Sequence, residues 1–140
     1  MFSVSLPELL QGAALDNRNV SANMLRTKFY VCPVCGNLVH ATGELLVSCH
    51  GVTLTPETAE PCDDRHEVAL SKVEDDWFVE IRHEMTKTHY ISFIAAVSAD
   101  RIQLVKLYPE GSAECRFPRR GVRKIYFYCN RDGLFEVTAK

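Results

Sequence analysis

The sequence predicts an all-β chain, a small metal knuckle followed by a seven-stranded antiparallel β-sandwich. Two observations carry this. A Cys-x2-Cys-Gly turn, "CPVCG", is set between the short apolar stretches "KFYVC" and "NLVHA". Seven further stretches rich in Val, Ile, Leu and aromatics then follow one another, separated by turn sequences.

The elements follow in order. Residues 1–27 read as a leader, in which "SLPELLQGAAL" favours one or two helical turns with Ser5 as cap and Pro7 in the first turn. Residues 28–57 read as the knuckle domain, built on "KFYVC", "NLVHA" and "ELLVSC". Residues 52–65, "VTLTPETAEPCDDR", carry two prolines and four acids and read as a linker or wrapping loop. Residues 63–140 read as the sandwich. Its strands are "EVALSKV", "WFVEIR", "HYISFIAAV", "IQLVKLY", "AECRF", "KIYFYC" and "LFEVT", with turns at "EDD", "SAD", "PEG" and "NRDG". Trp77, Val79 and Ile81 alternate with other residues, as one buried face requires.

Bulk properties narrow the function classes. The chain has 140 residues, 46% of them apolar, and a net charge of −2. That is enough to bury a core, and it gives no electrostatic case for a nucleic-acid or anionic-membrane partner. No apolar run is long enough to span a bilayer. The first residues, "MFSVSLPELLQGAALDNR", lack a basic n-region and a continuous apolar h-region, so no signal peptide is read and a cytoplasmic location is expected. In a reducing compartment six cysteines point to metal ligation or free thiols before disulfides.

The knuckle carries the first ligand set. Cys32 and Cys35 can converge on one ion, and Gly36 lets the backbone turn toward the sulfurs. Further on, "SCHG" adds Cys49 and His50. Three sulfurs and one nitrogen in a tetrahedron suit zinc and can also hold iron. A redox dithiol competes for Cys-x2-Cys, but it wants a helix starting at the second cysteine, and "CGNLVHA" reads as strand. A surface His50 beside a three-cysteine site is the plainer alternative for that residue.

The second set is dispersed. His66 precedes the first sandwich strand, His83 and His89 bracket the loop "HEMTKTH", and Cys129 ends the strand "KIYFYC". Each histidine alone reads as a surface residue. Together, four such groups at strand ends can meet on one edge of a sandwich, although sheet ligands drawn from distant positions obey no short template.

From Lys28 to the C-terminus the chain resembles the desulfoferrodoxin family, the two-domain superoxide reductases. "KFYVCPVCGNLV", "DDRHEVAL", "HEMTKTHYI", "FP" and "YCNRDGLF" carry the resemblance, in family order and with family-like spacing. It implies a desulforedoxin-like FeS4 domain followed by an immunoglobulin-like sandwich. The sandwich holds a mononuclear non-haem iron with four equatorial histidines, one axial cysteine and an open sixth position. That iron reduces superoxide to hydrogen peroxide. His66, His83 and His89 match three of the histidines, and Cys129 matches the axial thiolate. Asp64 and Arg65 match the family's Glu-Lys pair, whose cation attracts superoxide and whose carboxylate caps the ferric ion. A rubredoxin-like electron donor and a homo-oligomer, dimer or tetramer, are also implied.

Three departures qualify the resemblance. The family's fourth histidine, three residues after the cysteine, is Asp132 here. The Cys-Cys pair of its N-terminal centre is Cys49-His50. Its Glu-Lys pair is Asp64-Arg65. Asp132 has two competing fates, ligation or capping of the "NRDG" turn through backbone N–H groups, and the turn chemistry favours capping. The leading reading is therefore a superoxide reductase with an altered site, using iron in the sandwich and zinc or iron in the knuckle. A non-enzymatic metal-binding member with a structural zinc knuckle is the alternative. An electron-transfer module using the N-terminal centre alone is a third reading, which His50 disfavours. "RFPRRGVRK", with five basic residues, reads as a solvated strand edge or as a site that steers superoxide or docks an acidic donor. Cys62 and Cys115 read as free thiols, Cys62 also as a substitute ligand, and His40 as a surface residue.

Overall fold

The computed structural model describes residues 23–43 and 45–140. The helical turns expected in "SLPELLQGAAL" lie outside them. The described residues form twelve β-strands and one 3-10 turn, Met24–Arg26. No helix among them is long and apolar enough to cross a membrane.

Two hairpins build the knuckle. β1 (Lys28–Val31) pairs antiparallel with β2 (Leu38–Ala41), and β3 (Ser48–Cys49) with β4 (Val52–Thr53). Between β3 and β4 stand His50 and Gly51, with φ of 52° and 74°. Two successive left-handed residues make the type I′ geometry that matches strand twist, which accounts for a glycine after the histidine. The knuckle's own core is small: Tyr30, Cys32 and Leu54 are buried, with Val39, Leu45, Val47 and Val52 packed around them.

The seven expected sandwich strands all form. β6 (Glu67–Val73), β7 (Asp76–Arg82) and β10 (Glu114–Pro118) make a three-stranded sheet in the order β10-β7-β6. The facing sheet contains β8 (Ile91–Val97), β9 (Ile102–Lys106), β11 (Lys124–Cys129) and β12 (Gly133–Thr138). An eighth, unexpected strand, β5 (Glu60–Pro61), pairs parallel with β12 and completes the order β5-β12-β11-β8-β9. The acidic linker thus ends as an edge strand of the sandwich.

Trp77, Val79 and Ile81 of β7 face Ile125, Phe127 and Cys129 of β11 across the main core. β8 is buried on both faces. Ile94 and Ala96 join the main core, whereas Phe93, Ala95 and Val97 turn outward under Phe29, Met24 and Leu25. The knuckle hairpin and the end of the leader therefore cover the outer face of the five-stranded sheet, and the Met24 amide donates to the Ala99 carbonyl at 2.9 Å. Where β8 meets the end of β11, the register slips so that Tyr128 opposes Phe93 but Cys129 opposes Ile91. The extra residue, Ser92, forms a bulge that brings Ile91 back to the core side.

Phe135 joins this core to the histidine end. It stacks on Phe127 at 5.5 Å between ring centroids and on His66 at 4.1 Å. Phe135→Ala is expected to cost about 3–5 kcal/mol, the usual range for removing a buried aromatic ring. Denaturant unfolding measures the loss, which exceeds that of Phe135→Leu.

Candidate metal centre

Strand pairing brings the dispersed residues together. Glu67 of β6 opposes Arg82 of β7, so His66 and His83, one step beyond each, become neighbours at the same end of the sheet. In the other sheet Cys129 opposes Ile91, two residues after His89. Donor atoms of His66, His83, His89, Cys129 and Asp132 consequently all lie within 4.8 Å of one another. His66 and Cys129 are almost wholly buried, at 1% and 0% exposure.

The contacts define an arrangement around a common point. Cys129 Sγ lies 3.2 Å from His89 Nε2, 3.5 Å from His83 Nε2 and 3.5 Å from Asp132 Oδ2. Asp132 Oδ2 lies 3.0 Å from His66 Nε2 and 3.3 Å from His89 Nε2. The carboxylate stands between the His66 and His89 imidazoles, within reach of both. This corrects the capping expectation for Asp132. Its side chain turns into the cluster, and its backbone amide donates to Cys129 Sγ at 3.4 Å.

All three imidazoles present Nε2 inward because Nδ1 is engaged elsewhere. His66 Nδ1 donates to Asp63 Oδ1 at 2.8 Å, and His83 Nδ1 to the Glu84 carbonyl at 2.6 Å. His89 Nδ1 bonds the Glu84 carboxylate. A proton held at Nδ1 leaves the Nε2 lone pair free, the form that binds a cation. Burial pushes the His83 pKa down and favours its neutral form. Burial alone would raise the Asp132 carboxyl, but Cys129, His89 and His66 outweigh it and hold it below its ordinary value. Burial pushes the Cys129 thiol up, against the opposing amides of Arg131 and Asp132. A carboxylate, a thiol and three lone pairs aimed at one point suit a bound cation of borderline softness such as iron.

The turn after Cys129 has a second task. The Asn130 side chain accepts from the Tyr90 amide at 2.9 Å and donates to the Thr88 carbonyl at 3.0 Å. Arg131 Nε donates to the same carbonyl at 3.1 Å. Asn130 and Arg131 thus hold the loop that carries His83 and His89 against the strand that carries Cys129. Gly133 then takes a φ of 95°, and β12 begins. Asn130→Ala is expected to raise amide hydrogen exchange at residues 86–90 at least about tenfold, since two bonds of about 1 kcal/mol each are lost. The same measurement on β7 stays unchanged.

In the knuckle, the donors of Cys32, Cys35, Cys49 and His50 also lie within 4.8 Å of one another. Cys35 and Cys49 sulfurs are 3.5 Å apart, and His50 Nδ1 is 3.2 Å from Cys49 Sγ and 4.0 Å from Cys32 Sγ. Although His50 is exposed, its Nδ1 is within reach of the sulfurs. The Cys35 amide, helped by that of Val34 and by the His50 ring, lowers the Cys32 thiol to about 6, so it is largely thiolate near neutral pH. Asn37 Nδ2 adds a contact to Cys49 Sγ at 3.5 Å.

Other residues singled out in the sequence lie outside both groups. Asp64 and Arg65 are exposed in the turn before His66. Cys62 donates to the Glu136 carbonyl at 3.5 Å and is not among the donors, which removes it as a substitute ligand. Burial pushes the Cys115 thiol up to about 12, and it packs, partly buried, against the main core. His40 is exposed on β2. Arg116 pairs with Asp76 at 3.0 Å, and Arg119 bonds the Asp75 and Glu74 carbonyls. This basic stretch borders the start of β7, the end away from His83, about 20 Å of strand from the centre. It fits the solvated edge better than a superoxide guide.

Sequence reasoning missed Asp63 and Glu84. The only signal was an acid near each histidine in "DDRH" and "HEM", a pattern that solvated surface charges share.

No family model matches the chain. Desulfoferrodoxin of Clostridium acetobutylicum is 27% identical over 109 residues, covering 69% of this chain and 87% of that protein. Desulfoferrodoxin of Desulfarculus baarsii is 27% identical over 121 residues, covering 80% and 96%. The superoxide reductase from Treponema pallidum superposes with a TM-score of 0.69 at 21% identity, covering 80% of this chain and 98% of that one. The chain is thus similar to desulfoferrodoxins over most of its length. As in the desulfoferrodoxin reading of its sequence, a cysteine-rich knuckle precedes an all-β sandwich, and the fold is that of a superoxide reductase.

Proposed function

We propose that the protein is a cytoplasmic superoxide reductase that converts superoxide to hydrogen peroxide at an altered mononuclear iron site in the sandwich. The convergence of His66, His83, His89, Cys129 and Asp132 within 4.8 Å carries this reading. When bound, iron supplies the one-electron change between ferrous and ferric states. The chain's residues do the rest. The imidazoles of His66, His83 and His89, the Asp132 carboxylate and the Cys129 sulfur would hold the ion. Arg65, exposed beside His66, would attract the superoxide anion, and the adjacent Asp64 carboxylate would be available to cap the centre. Compared with an all-histidine set, a hard carboxylate would favour the ferric state of a bound iron and would slow its re-reduction by a rubredoxin-like donor. The family precedent favours a homo-oligomer.

The test is direct. Iron is measured per chain, a visible thiolate-to-iron band is recorded before and after ferricyanide, and superoxide decay is followed by pulse radiolysis. A band that bleaches on mixing one equivalent of superoxide with ferricyanide-treated protein, or its absence after full iron loading, speaks against the reading.

The knuckle is assigned to zinc because three thiolates and one imidazole are one thiolate short of the FeS4 set. The second reading, a non-enzymatic family member with a structural zinc knuckle, draws on that small core, which leaves much of the knuckle's stability to metal and to packing on β8. Cys32→Ser is expected to remove about one equivalent of zinc per chain by elemental analysis, leaving the iron content of the sandwich unchanged. If zinc stays at the wild-type level, the knuckle assignment fails.

A further inference from the structure

Two carboxylates absent from every ligand pattern stand behind the centre. Asp63 Oδ1 accepts both from His66 Nδ1 at 2.8 Å and from the Arg65 amide at 2.9 Å, so the second bond fixes its rotamer. Glu84 serves two histidines, its carbonyl accepting from His83 Nδ1 at 2.6 Å and its carboxylate bonding His89 Nδ1.

We propose that Asp63 and Glu84 are positioning residues that lock His66 and His89 with Nε2 toward the metal and strengthen both as donors. The inference rests on the reading of this donor group as a metal centre. An imidazole whose Nδ1–H is held by a carboxylate is a better electron donor through Nε2 and loses its freedom to flip. The alternative is that the two acids are ordinary solvated charges, since their side chains are 47% and 56% exposed. Solvation weakens their through-space field, but a hydrogen bond to a ring is not a field effect, and His66 is only 1% exposed and stacked on Phe135. The Glu84 carbonyl that holds His83 is kept in every side-chain variant, so substituting Glu84 releases His89 alone. The pair also offsets the shortage of imidazole: with one histidine fewer than the four-histidine set, two of the remaining three are reinforced.

The experiment uses Co2+ as probe, with the knuckle first filled with zinc. The Cys129-dependent visible band is titrated against a competing chelator. Asp63→Ala and Glu84→Ala are expected to weaken Co2+ binding by about 10–100-fold, the usual cost of removing such a partner. Asp63→Asn and Glu84→Gln keep an oxygen that can accept the ring N–H. They retain more affinity and raise the iron midpoint potential by loss of charge. Glu67→Gln is the control: this carboxylate is also next to His66 in sequence but pairs with Arg82 at 3.6 Å, and it is expected to change neither readout. Circular dichroism and zinc content confirm folding, and if an alanine variant does not fold, the Asn and Gln variants decide. Binding within twofold of wild type in Asp63→Ala and Glu84→Ala, an unchanged midpoint potential where Asp63→Asn and Glu84→Gln decide, or an equal shift in Glu67→Gln overturns the inference alone. A wild-type chain with no Cys129-dependent Co2+ band overturns the metal-centre reading, and this inference with it.

Discussion

Cys129→Ser is expected to abolish the visible thiolate-to-iron band and to slow superoxide reduction by more than about 100-fold, while the zinc of the knuckle remains. Cys129 has no solvent exposure, and its sulfur lies within 3.5 Å of donor atoms of His83, His89 and Asp132. Disturbing an outer partner of a metal ligand already costs about 10–100-fold, and Cys129 would be a direct donor whose electron density the chemistry uses. Serine is nearly isosteric, so the core suffers little. Its hydroxyl is a much harder donor and stays protonated at neutral pH without strong assistance. The amides of Arg131 and Asp132 that oppose the burial of a thiolate charge then have no charge to stabilise. Pulse radiolysis on protein matched for iron content separates loss of chemistry from loss of metal. Wild-type rates in the matched variant would place the reaction away from Cys129 and sink the proposed site.

Legibility followed the range of the interactions involved. The seven sandwich strands could be read because each carries its own apolar pattern, as with Trp77, Val79 and Ile81. The knuckle could be read because its cysteines are close in sequence and its glycines mark turns. The β5 edge strand was hidden, since Glu60–Pro61 has neither alternation nor β-branched residues and pairs only through its position along β12. The burial of both faces of β8 was also hidden, because its outer cover comes from Phe29 and Met24, far away in the chain. The histidine set was recognisable only through family resemblance, since the pairing of β6 with β7 and of β8 with β11 creates the proximity. Asp132 was misjudged for a local reason. Turn propensity describes what an Asp does in an isolated N-R-D-G turn, and three imidazole and thiol partners outweigh it here.

Asp132 variants are expected to separate metal retention from redox poise. Asp132 Oδ2 contacts His66 and His89 at 3.0 and 3.3 Å, between the two rings. Asp132→Ala leaves three imidazoles and one thiolate, and iron is expected to be lost to a chelator at least about ten times faster, in line with the cost of weakening a ligand shell. Asp132→His restores the four-histidine set that the family resemblance implies. Imidazole is softer and neutral, so ferrous iron gains relative to ferric, the midpoint potential rises, and reduction by ascorbate or a rubredoxin-like donor accelerates. The oxidative half of the cycle, measured on pre-reduced protein, changes less. Asp132→Asn separates charge from shape. It keeps an oxygen at the same reach without the negative charge, and its potential is expected to fall between those of the wild type and Asp132→His. Redox titration of the visible band orders the three proteins. Should Asp132→His leave both potential and iron retention unchanged, Asp132 does not occupy the fourth donor position, and the non-enzymatic reading becomes the stronger one. A potential that rises while superoxide turnover stays at zero in every variant would keep the metal site and remove the enzyme.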